Sequence, residues 1–300
     1  MMRSNQTSMV TEYFFSGFPK FEDGNLLFFI PLLIIYIFII MGNLIVCFAV
    51  RMDTHLHNPM YNFISIFSFL EIWYTTATIP KMLSNLVSKK KTISVIGCLL
   101  QMYFFHSLGN SEGILLTTMA IDRYVAISNP MRYSSVMVPN ILECLLSAGS
   151  CIFGFLILLP QIVPFCGPSQ IHQIFCNAVL VLSLACTDTS MILIENVILA
   201  AAIIITVLII ALSYIRIIIT ILKIPSTESQ QKAFCTYPGH LVFLISFGSV
   251  SLMYLHFNAT YSLVLDTTIA LMFTLLFPIL NPLLPKPPIK INKFILKKRE

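Results

Sequence analysis

Glu71 and Glu112 are carboxyl groups inside long apolar runs. An ionisable side chain within a membrane-spanning helix is expensive unless it is paired or hydrated, so it faces the bundle interior and serves a function. Two carboxyls at mid-membrane on neighbouring helices cannot both stay ionised cheaply unless they share a proton or a cation. The alternative is that one or both are protonated and hydrogen-bonded as packing groups. Further along, Asp122-Arg123-Tyr124 closes an apolar run. Adjacent acid and base there can pair with each other or release the arginine to a new partner, a choice that a two-state element needs. A simple anchor, with Arg123 snorkelling to the interface, is the competing reading. In Asn281-Pro282 the proline removes a backbone hydrogen bond and kinks a helix, and the asparagine amide can help satisfy the freed carbonyl.

Other chemistry is missing from the sequence. There is no Gly-rich phosphate loop, CxxC pair, HExxH or serine nucleophile elbow, so no enzyme is expected. His55-Leu56-His57 has no third metal ligand nearby and reads as a loop. A retinal Schiff base needs a buried lysine, and Leu263–Leu284 contains none.

The elements that must hold these groups follow from composition. Across 300 residues, 57% are hydrophobic and only 10% charged, with mean hydropathy +0.87. So few charges cannot coat a soluble body of this size, which excludes a soluble enzyme, a nucleic-acid binder and a disordered scaffold. A spanning helix needs about 20 mostly apolar residues. Seven stretches qualify: Leu26–Val50, Pro59–Leu83, Leu99–Ile127, Leu142–Val163, Ile192–Leu222, Phe234–Leu255 and Leu263–Leu284. The expectation is an all-α membrane protein, a seven-transmembrane helix bundle over 26–284, with an extracellular N-terminal segment at 1–25 and a basic cytoplasmic tail at 285–300. No cleavable signal peptide is apparent, and the first helix serves as its own insertion signal.

Orientation follows from the basic residues. An outside N-terminus puts Arg51, Arg123, Arg132, Arg216 and the tail lysines in the cytoplasm, against Arg3, Lys20, Lys81 and Lys89–Lys91 outside. The triple lysine opposes this choice. The sequons at Asn5 and Asn258 support it, because both then face outward. So do Cys98, Cys166, Cys176 and Cys186, which fall on the oxidising side. Four cysteines allow three pairings, among which the sequence alone does not choose. Cys47, Cys144, Cys151 and Cys235 read as small packing residues.

Taken in order, these features resemble a rhodopsin-like G protein-coupled receptor, and the local strings resemble those of an olfactory receptor. They are Gly42-Asn43, Leu56-His57-Asn58-Pro59-Met60-Tyr61, Pro80-Lys81-Met82-Leu83 after the second helix, Met119-Ala120-Ile121-Asp122-Arg123-Tyr124-Val125-Ala126-Ile127, Ser213-Tyr214, Lys232-Ala233-Phe234 and Pro278-Ile279-Leu280-Asn281-Pro282. The ten-residue spacing of Cys166, Cys176 and Cys186 adds an eighth, and the likeness covers nearly the whole chain.

The resemblance implies a plasma-membrane receptor that binds small hydrophobic or volatile odorants between its helices and activates a heterotrimeric G protein of the stimulatory olfactory type. It pairs Cys98 with Cys176 and Cys166 with Cys186. It places the ligand against Phe105, His106, Gly109 and Asn110, then Ile198, Leu199 and Ala202, then Phe247 and Ser249. His106 and Asn110 either orient the ligand or bond only within the bundle. Asp122, Arg123, Tyr124, Tyr214, Asn281 and Pro282 would form the coupling switch, and Asn5 would be glycosylated. Glu71 and Glu112 match positions where the family can hold a sodium ion; no other cofactor is implied. The basic tail suits anionic membrane lipid.

Some positions depart from the family pattern. Ile121 replaces a tyrosine and Ser128 a cysteine, Phe247-Gly248-Ser249 lacks a tyrosine, and Cys235–His240 brings in Pro238. Pro285 replaces the tyrosine that swings inward on activation, and three prolines within 285–288 oppose a direct helical continuation. These departures raise one alternative, a receptor that folds but couples poorly; Glu71 and Glu112, as a possible ion path, raise another with less support, an ion-coupled transporter. Against the transporter, seven helices lack the even halves of an inverted repeat.

Overall fold

The computed structural model describes residues 12–16, 24–54, 59–128, 170–171, 174–176, 190–222, 271–276 and 278–280. Four long helices dominate them: α1 (Gly24–Met52), α2 (Pro59–Val87), α3 (Val95–Ser128) and α4 (Ser190–Leu222). They match the first, second, third and fifth expected spans. The expected spans 142–163 and 234–255 lie outside the described residues. Of the seventh, a π-helical stretch, Met272–Leu276, is described together with short flanking helix.

Among the described residues, two helical stretches, Leu27–Met52 and Ala200–Ile219, are long and apolar enough to cross a membrane. Their outward faces are apolar as well, with Leu27, Phe28, Ile34, Met41 and Phe48 exposed on α1 and Ile205, Leu208, Leu212 and Ile215 on α4. A soluble monomer does not leave so much contiguous apolar surface in water, whereas a bilayer covers it.

Helices α2 and α3 carry more polar residues, and the structure shows how an apolar setting tolerates them. Hydroxyls bond back to the carbonyl one turn earlier: Thr75 to Glu71 at 2.7 Å, Thr76 to Ile72 at 2.6 Å, Ser111 to Ser107 at 2.7 Å and Thr118 to Ile114 at 2.9 Å. Each donor is thereby satisfied within its own helix. Contacts between helices add a few polar links. Tyr36 and Thr76 share a hydrogen bond at 3.2 Å between α1 and α2, and the Cys47 thiol donates to the Ser65 carbonyl at 3.4 Å. The buried Asn43 amide donates to Ile39 of its own helix at 3.0 Å and reaches the Pro278 carbonyl at 3.4 Å, tying α1 to the last described segment.

Two boundaries differ from the sequence expectation. Pro80–Leu83 lies inside α2, not after it, and the helix runs on to Val87. Helix α3 begins at Val95 instead of Leu99, because the Ser94 hydroxyl caps it by accepting the Gly97 N–H at 3.1 Å. A Cβ on Gly97 would lie 3.0 Å from that hydroxyl oxygen and 3.3 Å from Ile93, so only glycine fits the cap without displacing a neighbour.

At the capped end of α3 sits a small sheet. Strands β1 (Glu12–Phe15), β2 (Thr92–Ser94) and β3 (Gln170–Ile171) assemble in the order β2-β1-β3, antiparallel on one side and parallel on the other. Backbone bonds from Phe15 N–H to the Lys91 carbonyl (2.8 Å) and from Ser16 N–H to the Ile171 carbonyl (2.9 Å) extend it. The two-residue alternation of β1 turns Tyr13 and Phe15 inward and leaves Glu12 and Phe14 exposed. The inward rings pack with Ile93, Ile171, Phe175 and Cys176 over the α2 and α3 ends at Ile79, Met82 and Met102. A second cluster fills the space among α2, α3 and α4 around Phe67, Leu115, Ile203 and Tyr214. Half-buried Phe105 packs against both clusters.

Candidate functional site

Four of the expected ligand residues fall on two turns of α3 just beneath the sheet. Phe105 and Gly109 are four residues apart and share a face; His106 and Asn110 follow each by one position. His106 is buried and meets the Phe105 ring edge-on at a centroid distance of 5.5 Å. The Asn110 side-chain amide donates to the His106 carbonyl at 2.9 Å, so that N–H bonds within the helix.

Phe105 is held from two sides. The Tyr74 ring of α2 lies 5.0 Å away and the Phe175 ring 5.5 Å away, both tilted. Phe175 is fixed in turn by its neighbour. The Cys98–Cys176 disulfide joins α3 to this loop with 5.6 Å between Cα atoms, and the Cys176 N–H donates to Oε1 of Gln101 at 3.1 Å. The other end of the Gln101 amide donates to the Ala77 carbonyl of α2 at 3.2 Å. Loop, α3 and α2 are thus clasped at one point, and the aromatic layer hangs beneath it.

One turn deeper, Glu71 follows Tyr74 on α2 and Glu112 follows Gly109 on α3. Both carboxyls are buried at 1% exposure. Among the described residues neither oxygen of Glu71 receives a hydrogen bond, nor does Oε1 of Glu112. A buried carboxyl without donors is costly as an anion unless a proton or a cation neutralises it. No group of three or more His, Cys, Asp or Glu is assembled for a metal among the described residues.

At the far end of α3, Asp122 is buried and Tyr124 half-buried. Tyr124 packs against the cluster that contains buried Tyr214 of α4, so two of the residues expected in the coupling switch belong to one layer. The backbone of Arg123 continues α3, but its side chain lies outside what the structure describes.

On α4 the buried stripe runs Ala200, Ile203, Ile210, Tyr214 and Ile217. Ile198 is off that stripe and 58% exposed, beside exposed Val197, so the structure does not bring it to the α3 face. Two residues along a helix amount to about 200° of rotation, which accounts for the difference. Ala202 is half-buried next to the stripe, and the Leu199 side chain is not described. Phe247, Ser249, Asn281, Pro282, Pro285, Cys166, Cys186 and Asn5 all lie outside the described residues.

Tyr74, Gln101 and Phe175 were not singled out by the sequence. Tyr74 had a signal, standing three residues from Glu71 on the same apolar helix. Phe175 had only its place beside Cys176, and Gln101 only its place one turn after Cys98.

Residues 32–294 match the sequence profile of a family described as olfactory receptor. Human Olfactory receptor 6K3 is 71% identical over 289 residues, spanning 94% of this chain and 87% of that protein. Human Olfactory receptor 6K6 is 58% identical over 287 residues, spanning 93% and 83%, and human Olfactory receptor 6K2 is 49% identical over 292 residues, spanning 94% and 90%.

Proposed function

This chain belongs to the olfactory receptor family and is an odorant receptor; from that premise we propose that small, largely apolar odorants bind against α3 beneath the β-sheet. A bound odorant then shifts the bundle toward a state that engages a stimulatory G protein at the far end, around Asp122, Arg123, Tyr124 and Tyr214, with Asn281 and Pro282 completing the switch. The matches favour neither an ion-coupled transporter nor a receptor that has lost its function.

The observation that carries the binding reading is Phe105, packed against both hydrophobic clusters and flanked by Tyr74 and Phe175. A ligand that displaces or tilts this ring acts at once on the disulfide-clasped cap and on the inner layer that reaches Tyr214. Differential contact of this kind is what a ligand needs to change a two-state equilibrium. The proposed site is mostly apolar, with His106 and Asn110 as its polar groups, which suits odorants bearing a single carbonyl or hydroxyl.

The sheet end faces the cell exterior and the C-terminus the cytoplasm. The Cys98–Cys176 disulfide supports this orientation, since such bonds persist on the oxidising side, as does the basic balance of the loops. Glycosylation at Asn5 and a Cys166–Cys186 bond accord with the same orientation. The tail after residue 285 lies against anionic lipid of the plasma membrane. Sodium held between Glu71 and Glu112 would answer the missing donors at those carboxyls and would favour the resting state.

The test is an odorant panel with a cyclic-AMP readout beside a surface-expression control. Response to at least one odorant, abolished by Arg123→Ala at unchanged surface level, supports coupling through this end. Odorant binding with no cyclic-AMP change at full surface delivery contradicts it.

A further inference from the structure

The loop that carries Phe175 is pinned at two places, Cys176 and Ile171. The disulfide and Gln101 hold Cys176. Ile171 is held by the N-terminal strand. β1 runs parallel to β3 with Phe15 opposite Ile171, and the Ile171 carbonyl accepts both the Ser16 N–H at 2.9 Å and the Ser16 hydroxyl at 3.3 Å. On its other side β1 pairs with β2, and the Phe15 N–H donates to the Lys91 carbonyl at 2.8 Å. In the order β2-β1-β3 the outer strands do not pair with each other, so among the described residues the N-terminal strand joins them.

Side chains repeat this connection. Tyr13 and Phe15 are buried in one cluster with Ile171, Phe175 and Cys176, and half-buried Phe105 packs against it. The ring of Phe175 then meets that of Phe105 at 5.5 Å. Phe14, on the opposite face of the strand, is 46% exposed. Truncating Phe15 opens space in a close-packed layer, and neighbours of such a space relax into it. The loop at Ile171 and the ring of Phe175 lie in that layer, and Phe105 rests on it.

We propose that the N-terminal strand is a working part of the odorant site, with Phe15 a positioning residue that sets the Phe105 ring through Ile171 and Phe175. The proposal rests on odorants binding against α3. It gives the segment ahead of the first helix a share in odorant potency.

A double-mutant cycle on full-length receptor tests this. Cyclic-AMP dose-response curves, matched for surface level, are compared for the unsubstituted chain, Phe15→Ala, Phe175→Ala and the double variant. Phe15→Ala should raise the EC50 about fivefold or more with the maximal response per surface receptor retained. Phe15→Leu should recover all but about twofold, and Phe14→Ala should change nothing. In the double variant the shift should equal that of Phe175→Ala alone, because one path serves both residues. Fully additive shifts, an EC50 unchanged by Phe15→Ala, or a lower maximum at constant EC50 would each overturn the proposal. An Ala variant that does not reach the surface is replaced in the cycle by its Leu counterpart, and the same non-additivity decides. Phe105→Ala separates this proposal from the reading beneath it. A rise in EC50 there with none in Phe15→Ala sinks the role of the strand alone, whereas no rise in either sinks the α3 site and the proposal with it.

Discussion

Gln101 bonds Cys176 and Ala77 with the two ends of one amide, accepting the Cys176 N–H at 3.1 Å and donating to the Ala77 carbonyl at 3.2 Å. Loop, α3 and α2 meet there, directly above Phe105. Replacing Gln101 by Leu keeps the bulk but leaves a buried N–H and a carbonyl without partners, at a cost of about 1–3 kcal/mol for each group that stays dry. The expected outcome is a clear fall in the thermal midpoint of purified receptor. An unchanged midpoint would mean that water or another group replaces the amide.

The disulfide closes a long stretch of chain, with Cys98 and Cys176 separated by 78 positions. Cys98→Ser and Cys176→Ser should each reduce surface delivery strongly, and the double substitution should be no worse than either single one, because both remove one bond. Flow cytometry on intact cells with an N-terminal tag reads this directly. Additive losses would show that the cysteines act separately.

Tyr13 joins the N-terminal strand to the cap, and burial pushes its phenol up from 10.0 to about 12. The folded state favours the protonated form, so the strand keeps its full stability below about pH 10. Between pH 10 and 12 the released segment ionises first, and stability falls as pH rises. Protection factors at Phe15 and Ser16, with the intrinsic base-catalysed rate divided out, should fall across that window in the native receptor, and this fall should be absent in Tyr13→Phe. The same fall in both would assign the effect to another group.

Glu71 and Glu112 lend themselves to a salt-substitution test. If the pair shares a sodium ion, replacing choline by sodium raises the thermal midpoint, by about 1.4 kcal/mol in stability at tenfold over the dissociation constant. Glu71→Gln and Glu112→Gln should each abolish the difference between the two salts. A sodium effect that survives either substitution would place the ion elsewhere, and no sodium effect in the unsubstituted receptor would leave the pair sharing a proton.

Much of this architecture could be read from the sequence because hydrocarbon enforces long apolar runs. The spans that became α1 and α4 were plain, and those of α2 and α3 were legible despite their polar residues, whose hydroxyls the structure bonds to carbonyls one turn back. Cys98 and Cys176 were found, but their pairing needed the family likeness, since four cysteines permit three arrangements. The cap was not legible. Strand β1 has only four residues and pairs with two segments far along the chain, so its existence depends on tertiary contacts that no local pattern encodes. Tyr74 and Phe175 were missed for a like reason: each is one aromatic among many, and although Tyr74 stands three residues from Glu71, packing against Phe105 is what sets both apart. Ile198 was assigned by family position and lies off the buried stripe that passes through Ala200 and Ile203.

Odorant binding beside Phe105 is tested most directly by dose-response curves of unsubstituted receptor and Phe105→Ala, matched for surface level, against every odorant that activates the former. Removing the ring should raise the EC50 at least tenfold, equivalent to about 1.4 kcal/mol, for all of them. Unchanged EC50 values across the panel would contradict a ligand site on this face of α3.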